Sequence, residues 1–416
     1  SDIDFQNGFI CGMATKGLIK TVSQGSEGKR VARFTIGTTQ NGWTAEEVDY
    51  LCDGVDDQVE IIQALEALPP TGGEVVILDG TYNITASINI PKNNVSLRGN
   101  GNATILKRGY NSTNTDSGST ARGLITLNNK SGCKIQGLQI DGNEATYTSI
   151  YNCGIYLYSY CNNNTITGNT CSNNYDGIFL YSYCNNNTVT GNTCYNNSNG
   201  IYLSASSKNN TVTGNTCYNN SNGIYLSSSS NNTVTGNTCN DNYYGIRLSS
   251  SSNNTITGNP CNSSHYGIYL SSSSYNTITG NTCNSNSTGI YLYSYCNNNT
   301  VTGNTCSNNY AGTGIRLYSS SNNNTITGNT CNNNDYGIYL SSSSYNTITG
   351  NTCIRGTGTP GAYTTAQYTI LLSGSSNNYN LISSNNCMGK AVEVEGGTGN
   401  SAWGNKFGAT DDLPYQ

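Results

Sequence analysis

Apolar and polar residues alternate in short, repeating phrases along this chain. In Thr165-Ile166-Thr167 one aliphatic residue sits between two threonines, and in Ile178-Phe179-Leu180 the first and third residues are aliphatic. Both patterns have period two, so each predicts a short strand with one face turned inward. Between them Gly168-Asn169 is a turn dipeptide, Cys171 closes a second short strand, and Ser172 to Gly177 makes another corner. A polar loop from Tyr181 to Asn187 returns the chain to Thr188, where the phrase begins again. Each coil therefore predicts three short strands that offer Ile or Val, Cys, Ile and Leu to the interior.

The phrase recurs nine times, closed by Cys171, Cys194, Cys217, Cys239, Cys261, Cys283, Cys306, Cys331 and Cys353, at spacings of 23, 23, 22, 22, 22, 23, 25 and 22. A period in this range predicts a solenoid. Four inward side chains per coil cannot make a core alone, but coils stacked at the ~4.8 Å strand spacing can. Parallel stacking in register also aligns like residues. Asn169, Asn192, Asn215, Asn237, Asn259, Asn281, Asn304, Asn329 and Asn351 are thus expected to form a hydrogen-bonded ladder at one corner. Length varies only at corners; the one long coil gains two residues at Tyr310-Ala311-Gly312-Thr313.

Before the repeats the pattern changes. Thr44-Ala45-Glu46-Glu47 has capping-box spacing and predicts a short helix. Asp53, Asp56 and Asp57 precede an amphipathic stretch, Gln58 to Leu68, with Val59, Ile61, Ile62, Leu65 and Leu68 as its apolar positions and the aspartates as caps rather than metal ligands. Strands are expected at Glu74 to Leu78 and Tyr82 to Ile90. A helix over the first coil would cover an exposed sheet edge.

Asp53-Gly-Val-Asp-Asp, Ile62-Gln-Ala-Leu, Gly72-Gly-Glu-Val-Val and Gly80-Thr-Tyr resemble the N-terminal cap of pectate-lyase-superfamily β-helices, a form frequent in phage tailspikes. The Asn-Asn-Thr-Ile-Thr-Gly-Asn phrase resembles the CASH (NosD-type) repeats. Phe5-Gln-Asn-Gly-Phe-Ile-Cys-Gly with Phe34-Thr-Ile-Gly-Thr-Thr is similar to short N-terminal segments of phage tail-associated proteins. The resemblance implies an all-β, right-handed parallel β-helix with a short N-terminal capping helix. It divides the chain into an attachment segment (1–43), cap and first coils (44–109), regular β-helix (110–400) and tail (401–416). The chain departs from its relatives in placing Cys where an aliphatic residue is usual.

Composition narrows the function. Only 10% of residues are charged and the net charge is −5, which argues against a nucleic-acid partner. No run of ~18 apolar residues is present to span a membrane. The start of the sequence shows no secretion signal, so synthesis in a reducing cytosol is expected. Seventeen cysteines, an odd number placed mostly one per coil, read as reduced thiols serving as small buried hydrophobes. Cys161 and Cys184 stack on adjacent coils and have the option of a bond; Cys296 has no such neighbour.

Candidate chemistry is sparse. The strict repeats carry only Asp176, Asp241 and Asp335, and the first two lie ~14 Å apart along the axis, too far for a glycosidase carboxylate pair. Asp141 and Glu144 form the only close acidic pair near a strand end, expected in a solvated turn. The single histidine, His265, lies at a corner. No metal site and no cofactor is expected. Two outward ladders remain. Tyr156, Phe179, Tyr202, Tyr225, Arg247, Tyr269, Tyr291, Arg316 and Tyr339 occupy the position between Ile and Leu, an aromatic row suited to sugar stacking or to mutual packing. Thr165/Thr167 to Thr347/Thr349 form a threonine array of the kind that meets ice, though β-propensity also explains it. The expected role is a non-enzymatic, tail-associated or surface fibre protein, located on a virion tail or outside the cell, that contacts host polysaccharide through the Tyr/Asn face. Residues 1–43 are the expected contact with other tail proteins, and a homotrimer is an open option. The alternatives are a polysaccharide lyase or hydrolase with an acidic groove near residues 108–150, an ice-binding protein and a structural spacer.

Overall fold

The computed structural model describes residues 22–24, 30–113, 121–309, 312–354, 368–388 and 392–406. Most of the expected attachment segment, Cys11, Tyr310, Ala311 and the tail beyond Lys406 lie outside them. The described chain is an all-β parallel solenoid of about 13 turns with one α-helix. Its Gly-Ile-x-Leu strands form a 13-stranded sheet, from Ile88–Asn89 to Val392–Val394. The Thr-x-Thr and Cys strands line the rest of the coil within a 21-stranded sheet.

Register is strict. Ile166 faces Val189, Cys171 faces Cys194, and Leu180 faces Leu203, so like side chains stack through the interior. Ile178, Leu180, Val189 and Cys194 are all fully buried. Gly223 explains why glycine opens the Ile-Leu strand: a Cβ there would lie 2.5 Å from the Gly245 carbonyl oxygen of the next coil. Gly168 serves a corner instead, at φ 63°.

The expected asparagine ladder is present and continues beyond Asn351 to Asn385 and Asn405. Asn215 donates from Nδ2 to Asn237 Oδ1 at 2.9 Å and to the Val189 carbonyl at 2.9 Å, while its backbone N–H reaches the same Asn237 oxygen at 3.0 Å. Two further ladders run beside it, one from Asn164 through Asn187 to Asn400, the other from Asn174 through Asn197 to Asn334 with Ser264 interposed. Corner amides buried in this way are tolerated because both ends are bonded.

The second strand of each coil persists through fewer coils than expected. It exists at Thr170–Ser172, Thr193–Tyr195 and Thr216–Tyr218, then gives way to single bridges at Thr238 and beyond. The residue after Cys changes there from Tyr218 to Asn240, whose Oδ1 accepts the Asn262 backbone N–H at 2.8 Å; Asn262 and Asn284 repeat this. A side-chain oxygen has taken over a strand bond.

At the N-terminal end, Arg33–Ile36 already pair with Glu74–Ile77, so the stack begins before residue 44. The helix spans Gln58–Ala67 and buries Ile61, Ala64 and Leu65 against the first coils; Val59 is exposed, against expectation. Thr44 and Glu47 make the expected side-chain contact, 2.9 Å between Oγ1 and the carboxylate, but close only a turn. Asp57 does not cap the helix. Its carboxylate is buried and accepts instead from Gly54 N at 2.8 Å and Asn83 N at 2.7 Å, tying the helix start to a neighbouring strand.

All sixteen described cysteines are free and buried, including Cys161 and Cys184. Burial pushes the thiols of Cys239, Cys261 and Cys306 well above their usual range. Cys296 has no cysteine beside it, as expected: its backbone N–H donates to Ser321 Oγ at 3.4 Å, in a file where Ser and Cys interchange.

Candidate functional site

The outer face of the 13-stranded sheet carries three columns of side chains. The middle one is the expected row. Its side chains do point away from the coil interior, since Tyr156 and Phe179 belong to a cluster separate from the main core. They are not all exposed, however. Tyr156, Phe179 and Tyr291 are buried, whereas Tyr202, Tyr225, Arg247, Tyr269, Arg316 and Tyr339 are half-buried. Neighbouring aromatic side chains cover the first two, because Tyr158, Tyr181 and Tyr202 pack against them.

Ring orientation changes along the row. Phe179 and Tyr202 stack at 4.6 Å and 4°, Tyr202 and Tyr225 at 4.8 Å and 3°, so these rings spend their faces on one another. Arg247 breaks the stack, lying 4.7 Å over Tyr225 and 4.9 Å over Tyr244. Beyond it the rings tilt, and Tyr269 meets Tyr291 edge to face at 81°. Arg316 then sits among Tyr291, Tyr318 and Tyr339 at 5.0 to 5.2 Å.

The flanking columns were missed in the sequence, although the same repeat offset finds them. Three residues before the row stand Cys153, Asp176, Asn199, Asn222, Tyr244, Tyr266 and Tyr336; two residues after it stand Tyr158, Tyr181, Tyr293 and Tyr318. Tyr266 touches both Tyr269 and Tyr291, and Tyr336 touches Tyr339. Between these side chains opens a cleft of about 400 Å³, lined by Tyr266, Arg316, Tyr336, Tyr339, His265 and Thr313 among others. The guanidinium of Arg316 has a buried Nε with no hydrogen-bond partner. His265 bonds through Nδ1 to Ser287 Oγ at 3.0 Å. The cleft adjoins Gly312 and Thr313 of the long coil, so the one break in the period marks its position.

The acidic residues of the regular coils are dispersed. Asp141 Oδ1 accepts from Asn143 N and Asn173 Nδ2, a solvated turn as expected, and Glu144 lines a second, more open depression with Tyr175 and Tyr243. Asp176 is buried, and desolvation lifts its carboxyl to about 7 despite bonds from Asn199 and Cys153 and the charge of Arg122. The threonine rows are in register and largely half-buried.

Residues 81–287 and 260–415 match the profile of the family described as periplasmic copper-binding protein (NosD). The chain belongs to the NosD family. No curated protein matches it. Solved structures share the fold. The A-module of mannuronan C-5 epimerase AlgE4 from Azotobacter vinelandii is 18% identical with a TM-score of 0.59, over 89% of this chain and 99% of that one. DFA-IIIase from Arthrobacter chlorophenolicus A6 is 11% identical at 0.57, over 86% and 97%. Tailspike protein 3 of bacteriophage CBA120 is 14% identical at 0.59, over 86% and 60%.

Copper does not fit the donors of this NosD-family chain among its described residues. The single histidine is hydrogen-bonded at a corner, and the thiol ladder is sealed in a dry core. Cys52, Asp57 and Glu60 do converge within 4.8 Å, but one thiol and two carboxylates are a poor set for copper, and both Asp57 oxygens already accept backbone bonds. No helix among the described residues is long and apolar enough to cross a membrane.

Proposed function

We propose that this chain binds polysaccharide without cutting it, along the outer face of the 13-stranded sheet, with the cleft between Tyr266 and Tyr339 as the principal contact. The cleft carries this reading. It joins tilted tyrosine rings to the half-buried guanidinium of Arg316, the combination of apolar platform and polar group that sugars require. The stacked upper part of the row, from Phe179 to Tyr225, supports the platform rather than touching the ligand. The fold shared with the CBA120 tailspike supports a place on a virion tail or cell surface, and the name of the NosD family supports a periplasmic one. Among the described residues no carboxylate lines the cleft, which favours binding over hydrolysis there, since glycosidases set two of them ~5–9 Å apart.

Affinity electrophoresis in gels containing host surface polysaccharide tests this. Wild type should be retarded, and Tyr339→Ala should lose about tenfold in affinity, one stacking contact of ~1.4 kcal/mol. Tyr202→Ala should be retarded like wild type. Release of reducing ends or unsaturated sugars would make the protein an enzyme, and equal retardation of Tyr339→Ala would remove the cleft from the argument.

A further inference from the structure

One corner of the solenoid carries a hollow that the cleft does not include. Four residues before the outward row, this corner reads Tyr175, Ser198, Ser221, Tyr243 and His265 in successive coils. Backbone bonds fix the order. Asn199 N reaches the Tyr175 carbonyl, Asn222 N the Ser198 carbonyl and Tyr244 N the Ser221 carbonyl, each at 2.9 Å. Tyr175 and Tyr243 therefore stand three coils apart, about 14 Å along the axis at the usual strand spacing.

An unbroken column of rings closes on itself, as Phe179, Tyr202 and Tyr225 do. Here two serines replace rings, and the gap opens into a depression of about 580 Å³ between the tyrosines. That volume lies within the ~300–1,000 Å³ of small-molecule sites. Tyr243 is 51% exposed and is held from behind, since its ring stacks on His265 of the next coil at 4.7 Å and meets Tyr244 edge to face. Toward the other side it faces the serine levels. Asn196 and Asn219, both exposed, add amides to the lining.

Among the described residues the one charged side chain of this lining is the exposed carboxylate of Glu144. It stands on the loop that Asp141 anchors through Asn143 and Asn173. Hydroxyls and amides suit a ligand rich in hydroxyl groups, and a tyrosine face suits the apolar side of a pyranose. An ammonium group gains from a carboxylate and from an aromatic face together, whereas a carboxylated or sulfated sugar would meet repulsion.

We propose that the depression between Tyr175 and Tyr243 binds an oligosaccharide carrying free amino groups, with an ammonium at Glu144 and Tyr175 and a pyranose face on Tyr243. The site goes beyond the tyrosine cleft and does not depend on it. Tyr243 lines the depression and His265 lines the cleft, so this stacked pair is the wall between them. The net charge of −5 attracts cations generally, and a plain cation is therefore the necessary control.

The test is isothermal titration of the full chain with a glucosamine tetrasaccharide, its fully N-acetylated counterpart and trilysine, at equal ionic strength. The amino tetrasaccharide should bind, and N-acetylation should weaken binding about tenfold or more, the scale of losing a charged hydrogen-bonding partner. Trilysine should not displace it. Glu144→Gln should lose about tenfold for the amino form, and Tyr243→Ala about tenfold through the lost stacking face. Both side chains are exposed, so both variants should melt with wild type. Tyr339→Ala should bind the amino tetrasaccharide like wild type. Equal binding of the two tetrasaccharides, displacement by trilysine, or wild-type affinity in Glu144→Gln or Tyr243→Ala overturns the site. Lost binding in Tyr339→Ala overturns it too, by placing the ligand in the cleft. Retardation in polysaccharide gels turns on Tyr339, so failure of the cleft leaves this test standing.

Discussion

Asn199 donates from Nδ2 to Asp176 Oδ1 at 2.7 Å, and Asn222 makes the same 2.7 Å bond to Asn199 one coil further on. Asp176 thus ends a row of amides with a carboxyl group. Burial raises that group to about 7, while in the unfolded chain it titrates near ~4. The folded chain therefore holds an extra proton between those values, and stability falls as pH rises through that window. Replacing Asp176 by Asn removes the titration and keeps the shape. Chemical denaturation at pH ~4.5 and pH ~8 should show wild type losing up to a few kcal/mol on the way up and Asp176→Asn losing markedly less. Parallel pH profiles for the two proteins would mean that Asp176 is ionised at little cost.

The thiols give a second test. The sixteen described cysteines are free and buried, out of reach of a reagent in solution. A thiol reagent should find next to none in the native protein and nearly all seventeen of the sequence after denaturation without reductant. Recovery of fewer than about half would show disulfides in the chain as isolated.

Strand facing is tested by a pair of neighbours. Ile256 is fully buried and Thr257 half-buried on the same three-residue strand. Ile256→Asp places a charge in the continuous core and should cost several kcal/mol, whereas Thr257→Asp should cost under about 1 kcal/mol. Similar losses measured by denaturant titration would contradict the assigned facing.

The fold was legible because its information is local and repeated. Ile178 and Leu180 declare their facing by alternation, and nine coils say the same thing. The Asn169 ladder followed from register alone. The ladders from Asn164 and Asn174 obey the same rule and needed only the same alignment at other offsets. The site was harder to read, because exposure depends on neighbours in other coils. Tyr156 points outward as its pattern says, yet the surrounding rings bury it. Arg108 lies outside the strict repeats, and only the stacked structure brings its guanidinium to the Cys153 carbonyl. Where the sequence did carry a signal for the cleft, it was an irregularity: the extra residues before Gly314.

In all three asparagine ladders the side-chain amides that bond from one coil to the next donate toward the C-terminus. Backbone bonds alternate, since Thr188 N reaches back to Asn164 while Gly168 N reaches forward to Thr190. The side-chain dipoles therefore add along the axis while the backbone ones largely cancel, and the solenoid acquires an electrical direction. Its two ends are chemically unlike. The first oxygens of two ladders are met by the backbone N–H groups of Cys133 and Leu138, at 2.9 and 3.1 Å, and the last amide hydrogens by carbonyls such as that of Ile382. Copying a coil into the stack preserves this polarity and reversing one destroys it. A chain of this kind can grow by whole units, its reach along a polymer lengthening in fixed steps, but it can never be assembled from halves that face each other.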